Sequence, residues 1–276
     1  MATKTPVPYE NNPFMIGIEG LKLLFGNARN VGIYSIAMTA GIFVLAFIGY
    51  IVLVIVELAT GGSVDTTNQM DVSFDIDMAG LIVMTAAWIV GSLLYLAVSL
   101  LLFGPLEYAA AMLAKGKTVG LGEAFKATIA NFGAYYWLYI LFIVKVFLWS
   151  LLLIVPGIIM FNRYVLSGTV FFAEDKRGNA AIKRSSELVK GAWLTTYGGA
   201  WIWNIVSQGL AAIVFWPATM AVLYRQLAHV TDASEQKPPA HILSWLIFLV
   251  PIGIAVLYLL FMVLLFTLIA TAPTAP

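Results

Sequence analysis

The chain has 276 residues, of which 61% are hydrophobic and only 11% charged, and its formal net charge is +1. Soluble domains carry about 25% charged residues, so this composition excludes an ordinary soluble fold and indicates that lipid is the solvent. The lack of cysteine excludes disulfides and thiolate chemistry. A net charge near zero argues against a nucleic-acid partner.

The apolar runs are long enough to cross a bilayer as helices. About 20 consecutive apolar residues suffice for one crossing, and a backbone in lipid must satisfy its own hydrogen bonds. We therefore predict an all-α fold, a polytopic helical membrane bundle of six or seven transmembrane helices with short amphipathic interfacial helices. The predicted divisions are a flexible N-terminal lead at 1–13, a single helical membrane domain at 14–270 and a tail at 271–276.

The first two spans are predicted from uninterrupted apolar runs. Gly32 to Leu58 is the first, and Gly80 to Phe103 is the second, ending at Gly104 and Pro105. The segment between them, 59–79, carries four aspartates and neither Lys nor Arg. Basic residues instead concentrate in the lead, at 115–126, at 176–190 and, more weakly, at 225–237. The positive-inside rule places these basic segments and the N-terminus in the cytoplasm.

The run from Ala134 to Ala173 raises the choice between one kinked span and two spans joined by a turn. As one helix it would be roughly 60 Å long, about twice the thickness of the hydrocarbon core. Basic segments flank it on both sides, which requires an even number of crossings. Pro156 and Gly157 supply the chemistry of a tight turn. We therefore predict a hairpin that turns at Pro156-Gly157.

The last two apolar runs leave alternatives open. Thr195 to Ala228 is interrupted at Pro217, and we interpret it as a second, tighter hairpin, with a single span as the alternative. Ile242 to Ala270 contains Pro251 and either crosses once or folds back there.

Three short segments, 17–27, 120–133 and 178–193, share a plan of glycine, a short helix with a central lysine, and the opening of the next span. In the third, small and apolar residues occupy one side of a helix. The other side carries Lys183, Arg184, Glu187 and Lys190, and Trp193 follows at the start of the next run. This spacing predicts an amphipathic helix in the cytoplasmic headgroup layer. The alternative is three unrelated linkers.

Residues 151–193 combine an apolar run, a Pro-Gly pair, an Arg-Tyr pair and a spaced Ala-Arg-Ser-Leu-Gly-Trp series. The positions are Pro156, Gly157, Arg163, Tyr164, Glu174, Ala181, Arg184, Ser185, Leu188, Gly191 and Trp193. This pattern resembles the membrane domain attached to some bacterial glycerophosphoryl diester phosphodiesterases, and the related uncharacterised six-span inner-membrane proteins. Gly104 to Lys117 and Pro217 to Leu227 are similar to two further elements of that family. The resemblance implies a helical fold in the bacterial inner membrane. It implies no reaction, because no soluble catalytic barrel accompanies it here.

Two basic side chains interrupt the run from Ala134 to Ala173. A charge at such depth costs about 2.5 kcal/mol or more unless it snorkels, pairs or faces water. We predict that Lys145 and Arg163, with Asn162, form a contact for an anion or a lipid phosphate. The alternative is that Lys145 bonds to a polar neighbour in the bundle and Arg163 snorkels. The nearest acidic residues, Glu57 and Glu107, are placed near the ends of spans.

No catalytic motif is recognised, so we expect no enzyme, no catalytic residue, no cofactor and no metal site. The predicted function is that of a multi-pass integral protein of the bacterial inner membrane that interacts with lipids or binds a partner. Its predicted partners are membrane lipids, with a partner protein or a second copy of the chain as a further option. The alternative function is a small carrier for an anionic or amphiphilic solute that uses the intramembrane basic residues.

Overall fold

The computed structural model describes residues 9–59, 78–152 and 154–271. Every regular element within these ranges is an α-helix, which confirms the all-helical prediction. In chain order the helices are α1 (Pro13–Asn27), α2 (Arg29–Ala59), α3 (Met78–Ala114), α4 (Leu121–Ala130), α5 (Phe132–Leu152), α6 (Ile154–Tyr164), α7 (Ser167–Glu174), α8 (Asn179–Val189), α9 (Trp193–Val206), α10 (Ala212–Asp232) and α11 (Ile242–Thr271).

Four stretches of the described helices are long and apolar enough to cross a membrane. They are Arg29–Val52, Leu81–Ala114, Phe132–Leu152 and Val155–Glu174. Large apolar side chains along the first three are exposed; Trp88, for example, is 75% exposed. Apolar surface on this scale is unusual on a soluble monomer and is typical of a membrane-facing one. The acidic segment predicted to join the first two spans lies at 60–77, outside the described residues.

Helix α3 does not end at Gly104 and Pro105, as the sequence predicted, but continues to Ala114. Proline in a helix interior removes one backbone hydrogen bond, and tertiary packing compensates for that loss here. Most of the residues that follow are buried where α3 packs against α7 and α10, and Leu106 and Leu113 have no exposed surface. Gly104 lets α4 approach closely, because a Cβ atom there would collide with Thr128.

The predicted hairpin within 134–173 is present as α5 and α6. The helices lie side by side, with the rings of Phe142 and Phe161 at 5.4 Å. Helix α5 ends at Leu152 and α6 begins at Ile154, so Pro156 and Gly157 do not form the predicted turn but lie in the first turn of α6. That turn has no intrahelical partner for its N–H groups, so it tolerates proline.

The returning half of this hairpin is broken between α6 and α7, at residues 165 and 166. A break in a membrane helix leaves backbone groups that must find other partners. Ser185 of α8 supplies them, since its hydroxyl donates to the carbonyl of Arg163 at 2.8 Å. The same oxygen accepts from the amide of Leu166 at 3.2 Å. One serine therefore stabilises both sides of the break.

The run from Thr195 to Ala228 forms the predicted second hairpin, but its turn is not at Pro217. The chain reverses at 207–211, where Gln208 and Gly209 have positive φ values of 52° and 87°. Pro217 lies inside α10, which continues to Asp232. Glycine adopts positive φ without strain, so this polar turn and not the proline sets the reversal. The 14 residues of α9 span only about 21 Å.

Helix α11 is continuous from Ile242 to Thr271 and does not fold back at Pro251. It packs against α9, where Gly198 meets Ser244 so closely that a Cβ atom would collide with the serine side chain. The ring of Phe248 adds edge contacts to Trp193 and Tyr197.

The amphipathic pattern of α8 is confirmed, but its apolar side does not lie in the headgroup layer. Ala181, Ile182, Leu188 and Val189 are buried against protein, because α8 packs on α6, α7 and α10. On the opposite side three charged residues are exposed, namely Lys183, Glu187 and Lys190. Trp193 is half-buried and begins α9.

Arg184 is the exception on that opposite side. Its side chain is 14% exposed and pairs with Glu174 at 3.0 Å and with Asp232 at 2.6 Å. The hydroxyl of Tyr224 donates to the same Glu174 at 3.0 Å. Arg184 therefore ties the end of α7 to the end of α10 and is not a solvated surface charge.

Helix α1 and the residues before it are docked onto α10. Asn12 caps α1 by accepting from the amide of Phe14 at 3.0 Å. Glu10 and Gln226 exchange two hydrogen bonds of 3.1 Å each. A Cβ atom on Gly20 would collide with the backbone of Ala218, so glycine sets the close approach. The described part of the predicted flexible lead, 9–13, thus belongs to the folded domain.

Candidate functional site

Glu107 is an acidic side chain that α3 carries into the interior. It lies two residues after Pro105, inside the candidate span Leu81–Ala114. Because α3 continues past the proline, the glutamate faces α7 and α10 and is only 2% exposed. Acidic residues are almost never buried to this degree unless they are paired.

Three neutral groups from three other helices donate hydrogen bonds to this carboxyl. The indole nitrogen of Trp216, on α10, donates to Oε1 at 2.8 Å. The hydroxyl of Tyr139, on α5, donates to the same oxygen at 3.3 Å. The hydroxyl of Thr169, on α7, donates to Oε2 at 3.1 Å. The carboxyl is therefore a point where four helices meet.

Gly168 makes this arrangement possible on the α7 side. A Cβ atom at residue 168 would lie 2.8 Å from both Cδ and Oε2 of Glu107, and 2.9 Å from the hydroxyl of Tyr139. A Cβ atom does not approach other non-hydrogen atoms this closely, so any larger residue would displace the carboxyl or the tyrosine. A small residue in a membrane helix commonly marks such a close approach.

The carboxyl of Glu107 has no cationic partner among the described residues. The ion pairs that the structure shows within 4.0 Å lie elsewhere, around Glu174, Asp175 and Asp232. An ionised carboxylate also offers about four acceptor positions, and the three donors occupy three of them. The site therefore has room for one more donor and lacks a positive charge.

A cavity of about 320 Å³ extends from Glu107 between α3, α5, α6 and α10. Its volume is at the lower end of the range for small-molecule sites, about 300–1,000 Å³. Apart from the carboxyl, the wall is nearly all apolar or aromatic. It is formed by Leu96, Ser99, Leu100, Phe103, Tyr139, Phe142, Phe161, Val165 and Trp216. Glu107, Leu100 and Val165 form the buried part, and the other lining residues are half-buried.

A second cavity, of about 390 Å³, lies between α5, α6 and α9. Phe161 lines both cavities, so this ring forms part of the wall between them. Asn162 lines the second one, and the indole of Trp201 donates to its Oδ1 at 3.3 Å. The Asn162 amide donates in turn to the carbonyl of Ile158 at 2.9 Å. Asn162 is only 1% exposed, and both ends of its amide are engaged.

The structure does not join Lys145, Arg163 and Asn162 into one site. The ammonium of Lys145 donates to Oδ1 of Asn179, at the start of α8, at 2.7 Å. The guanidinium of Arg163 contacts the sulfur of Met160 at 4.0 Å. Neither basic residue is among the described residues that line the two cavities. This bond of Lys145 agrees with the alternative interpretation, in which Lys145 bonds to a polar neighbour. The anion-contact hypothesis, and the carrier function that depends on it, stay predictions.

Sequence reasoning missed Glu107 because it ended the second span at Pro105 and so placed the glutamate at a membrane surface. The signal was present, since an apolar run, LEYAAAML, continues on both sides of it. The three donors gave no such signal. Tyr139 and Thr169 lie in the apolar run from Ala134 to Ala173 and Trp216 lies in the run from Thr195 to Ala228, where all three resemble ordinary interior or interfacial residues.

No family model, curated protein or solved structure matches the chain. The resemblance to the membrane domain of bacterial phosphodiesterases therefore stays a prediction. Function is inferred from the chain's own residues, among which the buried carboxyl of Glu107 is the most unusual.

Proposed function

We propose that this protein is a multi-pass integral protein of the bacterial inner membrane that binds an amphiphilic molecule, such as a lipid, within the bilayer. In this proposal its N-terminus is cytoplasmic and it is not an enzyme. The proposed count is six or seven crossings, and it is supported by the four candidate spans together with the apolar helix α11 and the α9–α10 hairpin. The cytoplasmic placement rests on the basic residues near α4 and α8.

The cavity at Glu107 is the observation that carries the binding function. The cavity lies within a helical bundle and has a nearly apolar wall with a carboxyl group at its inner end. An amphiphile is complementary to it, because its apolar body can contact the wall and its polar head can contact the carboxyl. Ionisable side chains inside a membrane segment are rare and mark ligand or ion sites. The stretch 81–95 of α3, which leads to the cavity, is exposed throughout and faces the surrounding lipid in this proposal.

Native mass spectrometry of the purified protein tests this function. We expect a bound amphiphile in the wild type and its loss in Ser99→Trp, because the indole would fill the space next to Glu107. Leu102→Trp is the matched control, since Leu102 lies on the same helix, is exposed and does not line the cavity. A wild type without bound amphiphile, or equal retention by the two variants, contradicts the proposal.

A further inference from the structure

We infer that Glu107 selects an amphiphile whose head is a cationic amine, with the apolar body lying along α3 in the cavity. This inference rests on the proposed function and names the chemical class of the ligand. The Glu107 carboxyl has no positively charged partner among the described residues. The described partners of the carboxyl are an indole N–H and two hydroxyls, all of them neutral.

An ammonium head supplies both things that the site lacks. It brings a positive charge to a carboxylate that is removed from water, where an unpaired charge is costly. It also brings an additional N–H donor for the remaining acceptor position. Trp216 and Tyr139 already occupy Oε1, and Thr169 occupies one position on Oε2, so the open position belongs to Oε2. A charge-assisted hydrogen bond there is stronger than a neutral one.

The wall of the cavity favours the same class of ligand. Five aromatic rings line it, those of Phe103, Tyr139, Phe142, Phe161 and Trp216. Aromatic faces attract cations, and the attraction grows when the cation is removed from water. An anionic head would instead meet the negative charge of Glu107 with no basic side chain in the described lining to offset it.

The volume restricts the body of the ligand. About 320 Å³ accommodates a compact or single-chain amphiphile, in the lower range of small-molecule sites. A lipid with two full acyl chains exceeds that space. We therefore assign the cavity to a small lipophilic amine and not to an aminophospholipid.

Three probes with the same octyl chain separate the head-group chemistries. Octylamine, octanol and octanoate are each radiolabelled and equilibrated by dialysis with the full-length protein in a neutral detergent at neutral pH. We expect the wild type to bind octylamine about tenfold or more tightly than octanol, and octanoate most weakly. In Glu107→Gln, we expect the preference for the amine to vanish while octanol binding persists, because the cavity is unchanged in shape.

Glu123→Gln is the matched control, because Glu123 is an exposed carboxylate on the neighbouring helix α4 that bonds to Tyr108 at 2.7 Å and does not line the cavity. It should keep the wild-type preference. If Glu107→Gln does not fold, as judged by size exclusion, the ranking of the three probes on the wild type decides the matter by itself.

The outcomes distinguish a failure of this inference from a failure of the proposed function. If octylamine and octanol bind equally and Ser99→Trp abolishes the binding of both, Glu107 is protonated and does not select an amine. That result overturns the inference but agrees with the proposed function. Tighter binding of octanoate also overturns the inference. Competition of octylamine by phosphatidylethanolamine in mixed micelles, at similar concentration, overturns the assignment to a small amine. Binding of all three probes that is unaffected by Ser99→Trp overturns the proposed function as well.

Discussion

At the scale of single residues, the role of an ionisable side chain within a membrane segment depends on the groups that it contacts. Lys145 and Glu107 both interrupt apolar runs, and composition alone treats them alike. The ammonium of Lys145 donates to a neutral amide oxygen, Oδ1 of Asn179, at 2.7 Å. Glu107 instead gathers three donors from three helices and still has no opposite charge among the described residues. This difference makes Glu107, and not Lys145, the stronger candidate for binding.

Ser185 permits a test at the same scale. Ser185→Ala removes both hydrogen bonds that stabilise the break between α6 and α7, so we expect the free energy of unfolding to fall by about 1–3 kcal/mol. Thermal unfolding in detergent, followed by circular dichroism, measures the effect. Ser186→Ala is the control and should change stability little, since Ser186 is half-buried and the structure shows no side-chain hydrogen bond for it. Equal effects of the two changes would contradict this role of Ser185.

At the scale of elements, the short helices α1, α4 and α8 share a sequence plan but are not simple interfacial helices. Each is followed directly by a longer helix, as the shared plan predicted. Their apolar residues are buried on neighbouring helices, as Leu24, Ala124 and Leu188 illustrate. An amphipathic pattern specifies that one side leaves water; whether lipid or protein covers that side depends on the rest of the chain.

Arg184 secures α8 between two longer helices. Burial acts to lower the pKa of its guanidinium, but hydrogen bonds to Asp232 and Glu174 outweigh burial and raise the pKa above its ordinary value. Arg184→Met removes the hydrogen bonds to Glu174 and Asp232, although Lys176 still pairs with Glu174, and we expect a loss of about 2 kcal/mol in unfolding free energy. Lys183→Met, at the adjacent exposed position, should have little effect. Matching melting temperatures for the two variants would refute the role assigned to Arg184.

At the scale of the whole molecule, buried and exposed apolar surfaces divide the bundle into two parts. Buried residues of α3, α7 and α10 form the centre of the core, with Leu106, Phe171 and Leu223 almost fully enclosed. The first half of α3 and much of α2 expose their apolar side chains instead. Lipid can cover such helices without further protein contacts, which is why a chain with so many exposed apolar residues is consistent with a stable membrane protein.

The proposed orientation is testable because the chain has no cysteine of its own. A cysteine at the exposed position 183, in α8, should react with a membrane-impermeant maleimide only after the cytoplasmic face is opened. A cysteine at 71, in the acidic segment predicted to lie outside, should react in intact cells. The basic and acidic flanks set this expectation through the positive-inside rule. The reverse labelling pattern would invert the proposed topology.

Sequence alone predicts the helical class, the apolar helices, the hairpin within 134–173 and the polar and apolar sides of α8, but for 195–228 it leaves a hairpin and a single span as alternatives. These properties follow from length, composition and spacing within one segment, so the residues of that segment are sufficient to predict them. It misplaced the helix ends at Pro105 and Pro217, because local rules assign a break to proline while tertiary packing keeps both helices continuous.

The side-chain contacts between distant segments could be identified only from the tertiary structure. Glu107 and Trp216 are separated by 109 residues, and Arg184 and Asp232 by 48. Such pairs depend on how helices pack, and no pattern within either segment encodes its distant partner. For that reason the acidic site at Glu107 emerged from the fold, although its glutamate was visible in the sequence from the start.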